Sequence, residues 1–281
     1  MMETMDNATS DVQSPPELGV AVAQFAPGAD TAANLEAMRA LALTAVDRGA
    51  RLVVFPEYSS HFTEPLGPDF VRAAESLDGP FVRAVGALAS ELGVHIVAGL
   101  IERADDATHV HNTIVALSPR GELVARYRKQ HLYDAFGASE SRWLAAGDLD
   151  EPETFDVGGV RVGMQTCYDI RFPEVTRRIA DAGAELVLVP AEWVRGPLKE
   201  AHWRTLLTAR ALENTVYVVA ADHVPPTGVG ASMIIDPMGV ELATLGEKTG
   251  VALAWISAER LAAVRRVNPS LALRRYRVLP R

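Results

Sequence analysis

Residues 160–174 read Val160-Arg-Val-Gly-Met-Gln-Thr-Cys167-Tyr-Asp-Ile-Arg-Phe-Pro173-Glu174. The apolar run 160–164 predicts a strand, and a helix is expected from Pro173, whose fixed φ suits a first helical turn. Between them stands Cys167, the one cysteine of the chain. Strand, sharp turn and helix is a geometry that lifts a nucleophile clear of a sheet and aims helix-end N–H groups at whatever it attacks. A helix N-terminus and a nearby cation both favour thiolate over thiol. Taken alone, a single cysteine also reads as a small buried hydrophobe, so the rest of the chain has to decide.

Working outward, continuous apolar runs at 18–25, 52–55, 186–189 and 216–221 predict strands buried under helices. Helices are expected from the cap at Asp30 or Thr31 to Gly49, and over 68–76, 80–92, 173–182, 202–214 and 258–267. Strands over 95–100, 112–117 and 122–128, a hairpin at 154–165 around Gly158-Gly159, and a meander over 231–256 mix hairpins with helical crossovers. The class is α/β with mixed sheets. Glu57 follows Val53-Val54-Phe55-Pro56 at the carboxyl end of a strand, where α/β folds build sites; a turn carboxylate there can equally be solvated. Lys129 closes the strand 122–128 and is the only lysine before Cys167 in a stretch whose other cations are all arginine. A lysine amine can be tuned and a guanidinium cannot, although a rim charge is the plainer reading. His109 and His111 would share one face of a strand, but no third ligand stands nearby and no metal site is expected.

At 281 residues, with 48% hydrophobic and 22% charged residues, the chain can bury a large core. A net charge of -9 argues against nucleic acid or an anionic membrane as partner. No apolar run approaches a membrane span. One cysteine permits no internal disulfide, which fits the expected cytoplasmic location. Residues 1–17 are polar, lack the features of a signal peptide and are expected to be a disordered leader to a domain over 18–268. The tail 269–281, with Arg274, Arg275, Arg277 and Arg281, cannot form a core and must fray or pack across another surface.

Each of Glu57, Lys129 and Cys167 is ambiguous alone, but their contexts occur in order, each at a strand end. Phe55-Pro56-Glu57, Tyr127-Arg128-Lys129-Gln-His131-Leu132 and Cys167-Tyr168-Asp169-Ile170-Arg171-Phe172-Pro173-Glu174 resemble the nitrilase superfamily of carbon–nitrogen hydrolases. The resemblance runs along nearly the whole chain after the leader and includes His111-Asn-Thr113, Ala201-His-Trp203 and Ala209-Arg-Ala-Leu-Glu-Asn214.

The resemblance implies a four-layer α-β-β-α sandwich, a homodimer or higher homo-oligomer, and a tail 269–281 at the dimer interface. It implies a Glu57–Lys129–Cys167 triad acting on a small-molecule amide without metal or organic cofactor. Cys167 attacks, Glu57 is general base, and Lys129 with the backbone N–H of Tyr168 stabilises the oxyanion. Glu140 is the candidate for the second glutamate that many members carry after the lysine. Tyr168, Tyr133, Trp193 and His131 are candidate substrate-binding residues. Arg195 or Lys199 could meet a substrate carboxylate, and Arg171 is expected to pair with a carboxylate locally. The nucleophile motif resembles the amidase branch, which includes ω-amidases and the amidase for deaminated glutathione; Tyr168-Asp169 departs from the Cys-Trp-Glu of true nitrilases. N-carbamoyl amino acid hydrolysis is the alternative, followed by a catalytically silent nitrilase-like binding subunit. A redox sensor would want a resolving cysteine, which the chain lacks.

Overall fold

The computed structural model describes residues 17–281; the expected leader lies outside the described residues except for Glu17. In chain order the strands are β1 (Leu18–Gln24), β2 (Leu52–Val54), β3 (His95–Arg103), β4 (Val110–Leu117), β5 (Leu123–Arg128), β6 (Thr154–Val157), β7 (Val160–Met164), β8 (Leu186–Pro190), β9 (Tyr217–Ala221), β10 (Met233–Ile235), β11 (Glu241–Thr244) and β12 (Gly250–Ile256). The helices are α1 (Thr31–Asp47), α2 (Pro68–Ala73), α3 (Pro80–Leu92), α4 (Pro173–Asp181), α5 (Lys199–Asn214) and α6 (Ala258–Val267).

The strands form two six-stranded sheets, ordered β12-β1-β2-β3-β4-β5 and β11-β10-β9-β8-β7-β6. In the first, β1, β2 and β3 are parallel, with antiparallel β12 on one side and antiparallel β4 and β5 on the other. In the second, β7, β8 and β9 are parallel, with antiparallel β6 on one side and β10 and β11 on the other. The two sheets therefore share one topology, in which β2 corresponds to β8 and β1 to β7.

The alternation of strand side chains builds four layers. Val20, Val22, Leu52 and Val54 face Val162, Met164, Leu186 and Leu188 across the sheet-on-sheet core. The intervening Ala21, Ala23 and Val53 pack outward under α1 and α3, against Met38, Ala42, Phe81 and Val85. Val187, Val189 and Val218 do the same beneath α4 and α5, against Ile179, Trp203 and Leu207. Central strands buried on both faces must be apolar at every position, which is why these runs show no alternation. Each fully buried Val, Leu or Phe contributes roughly 1.5–3 kcal/mol. The architecture is the expected α-β-β-α sandwich.

Element ends follow local chemistry. Asp30 caps α1 by accepting from the amides of Ala32 and Ala33, and Gly93 closes α3 in the left-handed region at φ 66°. The helix expected over 68–76 stops at Ala73 because Glu75 pairs its backbone with β3 instead, its N–H to Ile101 and its C=O to Arg103. α5 begins at Lys199, a turn earlier than the expected 202. In the tail, Arg274 pairs with Asp181 of α4, while Leu273, Tyr276 and Leu279 are exposed. No helix among the described residues is long and apolar enough to cross a membrane.

Candidate active site

Glu57 enters the space beyond the end of β2 through a tight turn. That turn lies against Gly99 of β3, which donates its N–H to Pro56 and accepts from Ser60. A Cβ at Gly99 would come within 2.3 Å of the Tyr58 amide nitrogen, so only glycine lets the turn sit this close. Lys129 directly follows β5, its N–H bonded to the Asn112 carbonyl at 2.9 Å. Cys167 opens the 3₁₀ turn Cys167–Arg171 between β7 and α4, at φ 43°. A non-glycine residue in the left-handed region stores strain that its surroundings must hold. Those surroundings are explicit. Thr166 Oγ1 donates to the Pro190 carbonyl at 2.7 Å, and the Arg210 guanidinium donates twice to the Ile170 carbonyl, at 2.9 and 2.7 Å. Asp169 accepts from Tyr127 Oη and from the N–H and Nδ1 of His131. The Arg-Ala-Leu-Glu-Asn helix thus supports the Cys167 turn from below, and Asp169 ties that turn to the segment carrying Lys129.

The buried charges form one cluster. Lys129 Nζ donates to Glu57 Oε1 at 3.0 Å and to Glu140 Oε1 at 2.9 Å. Glu57 Oε1 also accepts from Asn112 Nδ2, and Glu57 Oε2 accepts the backbone N–H of Glu192 at 2.6 Å. Glu140, at the start of the 3₁₀ turn Glu140–Arg142, accepts from Tyr58 Oη at 2.7 Å and from the Tyr133 N–H at 2.5 Å. His223 Nε2 donates to the Glu57 carbonyl at 2.7 Å, which fixes the proton on that nitrogen. The Cys167 thiol lies 3.4 Å from the Glu192 carbonyl that accepts from it.

Burial raises the Glu57 carboxyl above its ordinary range, Glu140 adds to this and Lys129 opposes it. Burial would lower the Lys129 ammonium, but Glu140 and Glu57 outweigh it and hold the pKa well above normal. Burial, then the charge of Glu57, push the Cys167 thiol well up, against the pull of Lys129. The Cys167 side chain is therefore held as a thiol rather than a thiolate.

A cavity of about 860 Å³ opens onto this cluster, lined by Cys167, Lys129, Glu140, Tyr168, Tyr133 and Trp193 among others. Of the sequence candidates, His131 is not brought to it. Its ring stacks on Phe172 at 3.7 Å and bonds Asp169, serving the turn and not the cavity. Glu57 stands behind the lining, reached through Lys129. Lys199 is almost buried; its Nζ donates to Tyr133 Oη at 2.7 Å and lies 4.4 Å from the Phe136 ring. Arg171 pairs with no carboxylate among the described residues, contrary to expectation. It stacks over Trp193 at 4.9 Å, and its buried Nε has no partner. Arg195 pairs with Glu247 at the rim. No group of three metal-ligand side chains occurs among the described residues, and His111 Nδ1 donates to the Ala145 carbonyl.

Sequence reasoning passed over Asn112, Tyr58 and Glu192. The last had a visible signal: Val187-Leu-Val-Pro190-Ala-Glu192 repeats, with one inserted residue, the strand-Pro-Glu pattern of Val53-Val-Phe-Pro56-Glu57.

The model of the family described as carbon-nitrogen hydrolase matches residues 19–266. The chain is 40% identical over 259 residues to a deaminated glutathione amidase of Escherichia coli O157:H7, covering 92% of this chain and 97% of that protein. It is 33% identical to omega-amidase NIT2 of Homo sapiens, covering 80% of this chain and 83% of the human protein. Among solved structures, the C. elegans NitFhit protein superposes with a TM-score of 0.86 at 28% identity, over 94% of this chain and 67% of that one.

Proposed function

The chain belongs to the carbon–nitrogen hydrolase family, and from that premise we propose that it is a thiol amidase, cleaving a small carboxylate-bearing amide through a Cys167 thioester. The observation that carries this reading is the Lys129 ammonium held between Glu57 and Glu140, at the wall of a cavity that Cys167 also lines.

The residue chemistry supports each step. Glu57 takes the thiol proton as sulfur attacks the amide carbonyl, and the negative oxygen that forms is met by Lys129 and the backbone N–H of Tyr168. The C–N bond breaks, Glu57 returns the proton to the departing nitrogen, and an acyl thioester remains. Water then attacks the thioester, Glu57 accepts its proton, and collapse releases the acid and restores the thiol. The net change is one amide and one water converted to one acid and ammonia or an amine. Glu140 keeps Lys129 charged and oriented, and Tyr58 holds Glu140.

Lys199, bonded to Tyr133 Oη, and Arg171, lying over Trp193, have no carboxylate partner among the described residues and supply the positive charge that a substrate carboxylate would neutralise. The names of the E. coli and human relatives, deaminated glutathione amidase and omega-amidase, support an amide substrate. Assembly as a homodimer, with the apolar side chains of the tail against a second copy, and residence in a reducing cytoplasm complete the reading.

The test is ammonia release from 2-oxoglutaramate, deaminated glutathione, aliphatic amides and an N-carbamoyl amino acid, each beside Cys167→Ala. Turnover of a carboxylate-bearing amide, lost in the variant, is expected. Turnover of the N-carbamoyl compound alone would reassign the substrate class. Silence of the wild-type protein on all of them would favour a binding subunit.

A further inference from the structure

Glu192 is employed through its backbone alone: its N–H holds Glu57 and its C=O receives the Cys167 thiol. Its side chain has no role in the steps above, although it lines the same cavity as Cys167. The shared topology of the two sheets makes its placement more than incidental. Glu57 follows β2 and Glu192 follows β8, the corresponding strand, each just beyond a proline. The two equivalent glutamates meet at the charge cluster, Glu57 behind the cavity lining and Glu192 on it, and their carboxyls are treated differently. That of Glu57 has Lys129, Asn112 and an amide N–H as donors, whereas Glu192 Oε1 is sealed from solvent with no partner.

We propose that Glu192 is a substrate-binding residue whose neutral carboxylic acid donates a hydrogen bond to an acceptor oxygen on the substrate's acyl chain. The groups around it decide between acid and carboxylate. Glu57 comes from the turn after β2, Asp222 from the end of β9, Glu140 and Tyr133 from the loop after β5, and Cys167 from the nucleophile turn. The nearby cations are Lys129, committed to Glu57 and Glu140, and Lys199 on α5, bonded to Tyr133. Glu192 is half-buried with one carboxyl oxygen sealed, and ionised it would set a further negative charge beside Glu57 and Asp222 without a cation of its own, which costs more than keeping the proton. Burial, then Glu57 and Asp222, hold its pKa well above the usual carboxylate range. A carboxylic acid offers an O–H, and the oxyanion already has Lys129 and an N–H. The unclaimed donor therefore selects a second oxygen, such as a keto, hydroxyl or carbonyl group of the acyl portion.

This inference rests on the amidase reading, and its test separates the two. Ammonia release is measured with the wild-type protein, Glu192→Gln and Glu192→Ala, on 2-oxoglutaramate and on butyramide, whose acyl chain carries no further oxygen. Because the side chain holds no neighbour in place, both variants should fold, as their melting temperatures would report. For 2-oxoglutaramate, Glu192→Ala should lower kcat/KM about 10- to 100-fold, the loss of one buried hydrogen bond to substrate. Glu192→Gln, which keeps a donor, should stay within about threefold, and should lack the alkaline decline that ionisation of the acid gives the wild type. Butyramide turnover should be unchanged in both. A glutamine variant as damaged as the alanine variant would overturn the donor role in favour of charge. Equal loss on butyramide would reduce Glu192 to structure. A wild-type protein silent on both of these and on the remaining amides of the panel above would overturn the amidase reading, and the proposal with it.

Discussion

Lys129 and Glu57 form an ion pair at 3.0 Å with side chains only 2% and 1% exposed, and the same ammonium neutralises Glu140. Water cannot replace it there. Removing one partner of a buried pair leaves an uncompensated charge and costs about 3–5 kcal/mol. Lys129→Met should therefore lower the melting temperature as well as abolish turnover. The stability deficit should shrink from pH 8 to pH 5, as a proton takes the place of the ammonium on Glu57, whose pKa burial raises. Calorimetric melting at both pH values checks this; an equal deficit at both would mean the cluster does not carry those charges.

The base role proposed for Glu57 requires it to be ionised, yet burial first, and Glu140 next, raise its pKa. Turnover should therefore climb with pH through that raised value, with its acid limb above the position of an ordinary glutamate. The stability linkage runs oppositely: a raised folded pKa contributes stability that is fully present below the unfolded value and is lost as pH rises through the folded one. A pH–kcat/KM profile beside Glu57→Gln, which should lose the acid limb and at least 10³-fold in rate, tests the assignment.

The same chemistry predicts slow alkylation of Cys167, because burial and Glu57 keep it a thiol. As the chain's one cysteine, its labelling by iodoacetamide is read directly as a mass shift. The rate should fall further in Lys129→Ala, which removes the cation that opposes those effects. Faster labelling in that variant would contradict the role given to Lys129.

Much of this organisation was legible from the residues. Runs such as 52–55 and 186–189 predicted buried strands because a strand covered on both faces cannot alternate, and the ends of β2, β5 and β7 carry Glu57, Lys129 and Cys167 in sequence order. What could not be read was which way side chains turn at irregular segments. His131 sits in a motif beside Lys129, but Asp169, distant in sequence, captures its ring and turns it from the cavity. Arg171 was expected to have a carboxylate neighbour and instead lies against aromatic rings. Glu192 stood unremarked in a loop, because its importance depends on the pairing of two sheets.

Gly99 offers a test of how rigidly Glu57 is placed. A Cβ there would meet the Tyr58 nitrogen at 2.3 Å and the Glu57 carbonyl carbon at 2.7 Å, both backbone atoms that cannot swing aside. Gly99→Ala must therefore move the turn after β2. A displacement near 1 Å in a catalytic group can cost about 100-fold in rate, so kcat should fall steeply while the Cys167 side chain, on the other sheet, remains labelled. Unchanged kcat would show that the turn adjusts without moving the carboxylate.

Lys199 gives the sharpest reading of substrate class. Its ammonium is almost buried, bonded to a neutral phenol and surrounded by the rings of Tyr133, Phe136 and Trp193, with no carboxylate partner among the described residues. Burial, and then the charge of Arg171, depress its pKa, so two cations are held close together at a cost that an incoming anion would relieve. Lys199→Met keeps the length and apolar packing of the stem and removes only the charge. For 2-oxoglutaramate the variant should raise KM about 10- to 100-fold, the worth of one charge-assisted hydrogen bond, with kcat little changed because the reacting atoms are untouched. For butyramide, which has no anion to bind, KM should stay the same or fall as the cavity becomes less polar. A parallel loss on both amides would mean that Lys199 orders the wall formed by Tyr133 and Trp193 rather than meeting a carboxylate, and the substrate would then have to be sought among neutral amides.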